Sequence, residues 1–175
     1  MKNPLILAFG DSVTFGYGAK CESSYPRQIE KKTGLKVINA GVTGESSSQG
    51  LLRLPSLLLE NLDIVILCHG THDLYNRRSP EKLKANLLAM IKLIQENGAK
   101  ILLVGVSNFG LLSNDIHSLY NEVADKSGVL LEDNILRNIL TSNLLKTDYI
   151  HPNADGYEMM ADSFIDILEL KVVAT

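Results

Sequence analysis

Four short, almost unbroken apolar runs, at residues 4–9, 36–40, 63–68 and 100–106, constrain this chain more than any other feature. A strand with one face in water alternates apolar and polar residues, so runs without alternation need cover on both faces. A weaker fifth run lies at residues 129–131. Helical patterns separate them. The clearest opens with Ser79 as N-cap and Pro80 at the first helical position, carries Leu83, Leu87, Leu88, Ile91 and Ile94, and stops at Gly98. Another follows Asn153, with Tyr157, Met160, Ala161, Phe164 and Leu168 on one stripe. Residues 49–62 also read as helical, with Pro55 disturbing the first turns.

Strands that alternate with helices of this length build right-handed βαβ units and a parallel sheet covered on both sides. The pattern predicts an α/β fold of three αβα layers around a parallel five-stranded sheet, for which analogy with flavodoxin-like folds gives the order 2-1-3-4-5. Ligands of such sheets collect beyond the carboxyl ends of the strands. A length of 175 residues suits one core, so residues 1–175 are expected to form a single domain.

The formal net charge is −3, and the lysines and arginines are scattered without forming a stripe, which argues against a nucleic-acid partner. No apolar stretch approaches the roughly 20 residues of a membrane-spanning helix, so no transmembrane segment is expected. The start of the chain lacks a basic region followed by a cleavage site, and a cytoplasmic location is the expectation. Cys21 and Cys68 show neither disulfide-scaffold nor metal-ligand spacing and read as free thiols, Cys68 within the core. Nothing in the pattern sets an oligomeric state.

Directly after the first run comes Gly10-Asp11-Ser12-Val13, which puts Ser12 at the carboxyl end of a central strand, a natural place for a nucleophile. A capped turn would use the same residues. A serine hydroxyl needs a base, and of His69, His72, His117 and His151 only His151 has a nearby carboxylate spaced to orient it. In Asp148-Tyr149-Ile150-His151, the i,i+3 spacing lets Asp148 accept from Nδ1–H and leaves Nε2 to take the serine proton. A loop hydrogen bond without catalytic consequence has the same spacing; Ser12 in the same chain favours the catalytic reading. Two glycine-bearing stretches, residues 39–46 and 69–73, follow the second and third strands. Gly44 can offer its N–H to an oxyanion without side-chain obstruction, and the N–H of Ser12 can be a second donor.

Together these residues resemble the SGNH, or GDSL-type, hydrolase family, whose four blocks are Gly-Asp-Ser, a glycine block, Gly-x-Asn-Asp and Asp-x-x-His. Three are complete here: residues 10–12, 39–44 and 148–151. Residues 37–45 and 48–55 look closest to the bacterial thioesterase, lysophospholipase and arylesterase branch. The resemblance implies a serine hydrolase that cleaves carboxylic esters or thioesters of small acyl substrates through Ser12, His151 and Asp148, with no cofactor and no metal. The third block departs from the family. Gly70-Thr71-His72-Asp73 puts His72 where the family has the asparagine whose amide donates to the oxyanion. His72 then either stands in as donor or leaves a slower enzyme, both in preference to an engineered change.

Residues 107–113, apolar for a loop, could wall an acyl chain or simply pack on the sheet. His69 reads as a strand-end residue and His117 as the solvent side of a helix carrying Ile116, Leu119, Tyr120 and Val123. The alternatives are an O-deacetylase of carbohydrates or small molecules, with a tight pocket closed by Tyr149 or Tyr75, and a non-catalytic family member. A third is a binding module in which residues 14–18 cradle a phosphate.

Overall fold

The computed structural model describes residues 3–59, 61–107 and 118–171. Strands β1 (Leu5–Gly10), β2 (Lys36–Gly41), β3 (Ile64–Cys68), β4 (Lys100–Val104) and β5 (Leu130–Glu132) form one parallel sheet in the order β2-β1-β3-β4-β5. This is the predicted order, and its physical basis is plain in β3, which is buried at every position. Residues 105 and 106, expected to extend the fourth strand, lie outside β4. The helices are α1 (Ser12–Phe15), α2 (Tyr25–Thr33), α3 (Ser47–Arg53), α4 (Thr71–Tyr75), α5 (Pro80–Asn97), α6 (Leu119–Ser127), α7 (Ile135–Thr141) and α8 (Ala154–Ile167). One layer packs α2 and α7 against α8, the other packs α3 and α6 against α5. Right-handed crossovers running both ways from the centre of the sheet place these layers on opposite faces. No described helix is long and apolar enough to cross a membrane.

The helix ends follow their local chemistry. Ser79 caps α5 by accepting from the Lys82 N–H, Pro80 opens it, and Gly98 closes it in the left-handed conformation. Asn153 caps α8 by accepting from the Gly156 N–H. The helix expected over residues 49–62 is shorter and displaced. It opens at Ser47, because Ser46 and Gln49 form a reciprocal capping box, and gives way after Arg53 to a 3-10 turn over Leu54–Leu57. Pro55 has no N–H for the α-helical ladder, so it ends the helix and does not merely disturb its start. Of the predicted loop 107–113, only Ser107, which is buried, is described; the rest of it, and His117 with Ile116, lie outside the described residues, while Leu119, Tyr120 and Val123 are buried on α6.

Below the strand ends lies a buried ionic cluster. The Glu45 carboxylate accepts from Arg53 Nε at 2.7 Å and Nη2 at 2.8 Å, and from His69 Nε2 at 3.1 Å. Arg53 also donates to the Ala40 carbonyl at 3.0 Å, and its guanidinium sits 4.5 Å from the centre of the Phe9 ring. His69 therefore has a carboxylate partner after all, contrary to the expectation that His151 alone did; the partner is 24 residues away in sequence and reaches it only through the fold. Burial pushes the Glu45 carboxyl up, but the hydrogen bonds and charges of Arg53 and His69 outweigh it and bring it down to about 2 from an ordinary 4.5.

Two expectations follow from this packing. A Cβ on Gly10 would stand 1.9 Å from the Cys68 carbonyl oxygen and 2.3 Å from Thr14 Oγ1, between two strands and a helix that cannot separate cheaply. Gly10→Ala is expected to lower the unfolding free energy by about 1–3 kcal/mol or more in urea denaturation. For Glu45, a folded-state value below the unfolded one contributes stability that is complete above pH 4.5 and is lost as pH falls through about 2. Glu45→Gln is thus expected to be less stable than the wild type by about 1–3 kcal/mol near neutrality. Urea unfolding at stepped pH should show this gap narrowing below pH 4.5 and closing near pH 2.

Candidate active site

The strand order brings the carboxyl ends of β1, β2 and β3 side by side, and the loop before α8 folds over them. Ser12 is the first residue of α1, which Asp11 caps by accepting from the Val13 N–H at 3.3 Å. The other Asp11 oxygen accepts from the N–H of Gly70 at 3.2 Å and of His72 at 3.3 Å. One buried carboxylate thus ties the β1 end to the start of α4. The N–H groups of Phe15, Gly16 and Tyr17 donate to the backbone carbonyls of Asp11 and Ser12 at 3.0–3.1 Å, which leaves a phosphate cradle at residues 14–18 without those donors.

His151 arrives from a loop of short, closed geometry. Lys146 and Pro152 make an antiparallel bridge, Thr147 N–H donates to the His151 carbonyl at 2.9 Å, and Asn153 N–H to the Leu145 carbonyl at 2.9 Å. Thr147 Oγ1 donates to the Gly18 carbonyl at 2.8 Å, which fastens the loop to the segment after α1. Within the loop, Asp148 Oδ1 accepts from the backbone N–H of Ile150 and His151, both at 2.9 Å, while Oδ2 lies 2.8 Å from His151 Nδ1. His151 Nε2 lies 2.9 Å from Ser12 Oγ. Partial burial works against the Asp148 charge, but the His151 ring and the backbone N–H groups prevail and hold the carboxyl below its usual range. The three residues named from the sequence form one hydrogen-bonded relay across 139 positions.

Around the relay is a crevice of about 330 Å³ lined by Ser12, His151, Gly44 and His72 among others. Gly44 stands at φ +75°, a left-handed turn conformation that favours glycine, and a Cβ there would meet nothing within 4 Å. Its neighbour Glu45 is the anchored residue of the ionic cluster, so the turn that carries Gly44 is fixed at one end. Asp73, the last residue of the altered block, turns away from the crevice. It accepts from Ser47 N–H at 2.8 Å and Ser47 Oγ at 2.9 Å, and Asn86 Nδ2 donates to Ser47 Oγ at 2.8 Å, binding α3, α4 and α5 together.

Sequence reasoning missed three residues here. Tyr17 has its ring centre 4.5 Å from that of His151, and its carbonyl accepts from the buried Tyr157 hydroxyl at 2.7 Å. Asn76 contacts the His72 ring. Asp11 is the structural partner of Ser12 within the same tripeptide. Only Asp11 carried a local signal, as a capping residue. The tyrosines proposed to close a tight pocket do not do so: Tyr75 lines the crevice but is 52% exposed, and Tyr149, 85% exposed, borders a neighbouring hollow with Asp148. Cys68 is buried beneath the site, where desolvation pushes its thiol well up, and it is inert filler there. Among the described residues no cluster of histidine, cysteine or carboxylate side chains could hold a metal ion.

The family model of the GDSL-like lipase/acylhydrolase family matches residues 8–159. An arylesterase of Vibrio mimicus is 28% identical over 168 residues, covering 90% of this chain and 84% of its own length. Thioesterase 1/protease 1/lysophospholipase L1 of Escherichia coli K12 is 28% identical over 165 residues, covering 90% of this chain and 79% of its own. The crystal structure of the psychrotrophic esterase EstA from Pseudoalteromonas sp. superposes with a TM-score of 0.84 at 24% identity, covering 95% of this chain and 97% of the other, and shares the fold. With the match running from inside β1 into α8, the chain belongs to the GDSL-like lipase/acylhydrolase family.

Proposed function

We propose that this protein hydrolyses carboxylic esters or thioesters of small acyl substrates, with Ser12 as nucleophile, His151 as general base and acid, and Asp148 orienting His151. The observation that carries the reading is the unbroken contact series Asp148 Oδ2, His151 Nδ1, His151 Nε2, Ser12 Oγ, at 2.8 and 2.9 Å. Asp148 accepts from Nδ1–H, which leaves the lone pair on Nε2 facing the hydroxyl.

In the first half-reaction, Ser12 Oγ attacks the acyl carbon while Nε2 takes its proton, and the carbonyl electrons move onto oxygen. The N–H groups of Ser12 and Gly44 and the ring N–H of His72 receive that oxyanion. Collapse of the intermediate expels the alcohol or thiol, protonated by His151. Water, deprotonated by His151, then attacks the acyl-Ser12 ester, and on collapse His151 passes that proton to Ser12 Oγ as the acid leaves. The chemistry needs no cofactor.

The fold lends specific support to each role. The Asp11 carboxylate fixes Ser12 relative to His72, the anchored Glu45 fixes the turn of Gly44, and Tyr17 flanks the imidazole. The open mouth of the crevice, with both tyrosines standing away from closure, favours esters and thioesters of varied chain length over a reaction confined to acetyl groups.

Ser12→Ala is expected to lose essentially all hydrolysis of p-nitrophenyl acetate, butyrate and octanoate and of acyl-CoA while keeping its melting temperature. Retention of full activity would refute the assignment. A steep preference for acetate over the longer esters would favour the deacetylase reading instead. Removing a single oxyanion donor by His72→Ala is expected to reduce kcat by about 100- to 1,000-fold. His72→Asn, which supplies a shorter amide donor, is expected to raise turnover above the wild type; an unchanged or lower rate would show that the imidazole already serves as well.

A further inference from the structure

His72 and Asn76 stand one helical turn apart at α4, and their contact has a chemical direction. Asn76 Nδ2 donates to the His72 carbonyl oxygen at 2.8 Å. A carbonyl oxygen only accepts, so this bond fixes which end of the Asn76 amide faces the helix. The same nitrogen lies 3.3 Å from His72 Nδ1. An amide nitrogen offers two N–H groups and no acceptor; with one on the carbonyl, the other meets Nδ1, which must present its lone pair. A neutral imidazole that accepts at Nδ1 carries its proton on Nε2.

We propose that Asn76 is a positioning residue for the oxyanion hole, holding the His72 ring in the form that bears its proton on Nε2 and so converting a histidine into an N–H donor. The proposal rests on the reading of His72 as an oxyanion donor. Both residues line the crevice that contains Ser12 and Gly44. The contrast with His151 gives the assignment its chemical content. There a carboxylate accepts from Nδ1–H and leaves Nε2 bare, as a base requires. At His72 an amide donates to Nδ1 and leaves Nε2 protonated, as a donor requires. Two histidines in one crevice are set in opposite tautomers by partners of opposite hydrogen-bonding sense.

The test combines nitrogen-15 NMR of histidine-labelled protein, in a buffer alkaline enough that imidazoles are neutral, with steady-state kinetics on p-nitrophenyl butyrate. The wild type is expected to show His72 with an unprotonated Nδ1 and a protonated Nε2. Asn76→Leu, similar in size without the donor, is expected to shift the Nδ1 resonance and to lower kcat by about 3- to 10-fold, the worth of one lost hydrogen bond. KM should stay within about twofold, because a donor to the oxyanion acts in the transition state. Asn76→Ala is expected to behave like Asn76→Leu. In a His72→Asn background, Asn76→Leu should leave kcat unchanged.

A wild-type His72 protonated on Nδ1 would overturn the proposal, as would an equal loss in both backgrounds, which would mark Asn76 as a helix-end residue only. An unchanged kcat in Asn76→Leu would do the same. The underlying reading fails separately: an unchanged kcat in His72→Ala removes His72 from the oxyanion hole and Asn76 with it. A low kcat in His72→Ala beside an unaltered Asn76→Leu removes Asn76 alone.

Discussion

The buried carboxylate of Asp11 is the joint on which the site depends. It belongs to the residue that leaves β1, caps α1 so that Ser12 opens that helix, and binds the N–H groups of Gly70 and His72 where the chain leaves β3. Two strand ends that would otherwise carry unpaired amides are locked by one acceptor. A buried, unsatisfied amide costs about 1–3 kcal/mol, so any displacement of the two loops is resisted several times over. Ser12 and His72, which line one crevice, thereby share a common reference.

The remaining parts are fixed to this joint by separate devices, and each suits the motion it must prevent. The loop carrying Asp148 and His151 is stiffened internally by its bridge and backbone bonds, then attached to the segment after α1 through Thr147 and Gly18. Tyr157 of α8 reaches the same segment through the Tyr17 carbonyl. The turn of Gly44 is held through Glu45, whose carboxylate Arg53 grips with two N–H groups. A relay of hydrogen bonds tolerates little positional error, since a hydrogen bond weakens steeply with distance and angle. The chain meets that demand with internally bonded loops on a sheet whose three central strands are buried on both faces.

The three central strands were legible in the sequence because that same burial removes polar residues from them, the helices between them implied a parallel sheet, and its order came by analogy with flavodoxin-like folds. Both ends of α5 and the start of α8 were legible because Ser79, Gly98 and Asn153 act within one turn of their own positions. What escaped was of two kinds. Short elements such as α2 and α7 present too few turns for a period to stand out, and α7 owes its start in part to Glu132, whose carboxylate accepts from the Ile135 N–H. The boundary at Ser47 needed both halves of a capping box to be recognised. Long-range partners escaped for a different reason: Glu45 and His69, or Tyr17 and His151, have no local relation, and only the superposition of strand ends joins them. Ser12, Asp148 and His151 were found because the local spacing of the last two and a recognisable tripeptide compensated for that lack.

On the proposed mechanism, the altered third block falls on the part of the site that most readily admits substitution. The nucleophile and its base exchange a proton, so both must match in acidity and in the direction of their lone pairs, and few side chains satisfy both conditions. An oxyanion hole asks only for N–H groups at fixed points, whatever atoms carry them. An asparagine amide meets this demand without help, because its nitrogen is always a donor. An imidazole meets it only when its proton is on the right nitrogen, which is a property of its surroundings and not of the residue. Replacing an amide by an imidazole therefore transfers part of the chemical specification from position 72 to whatever touches the ring, and in this structure that neighbour is the amide of Asn76.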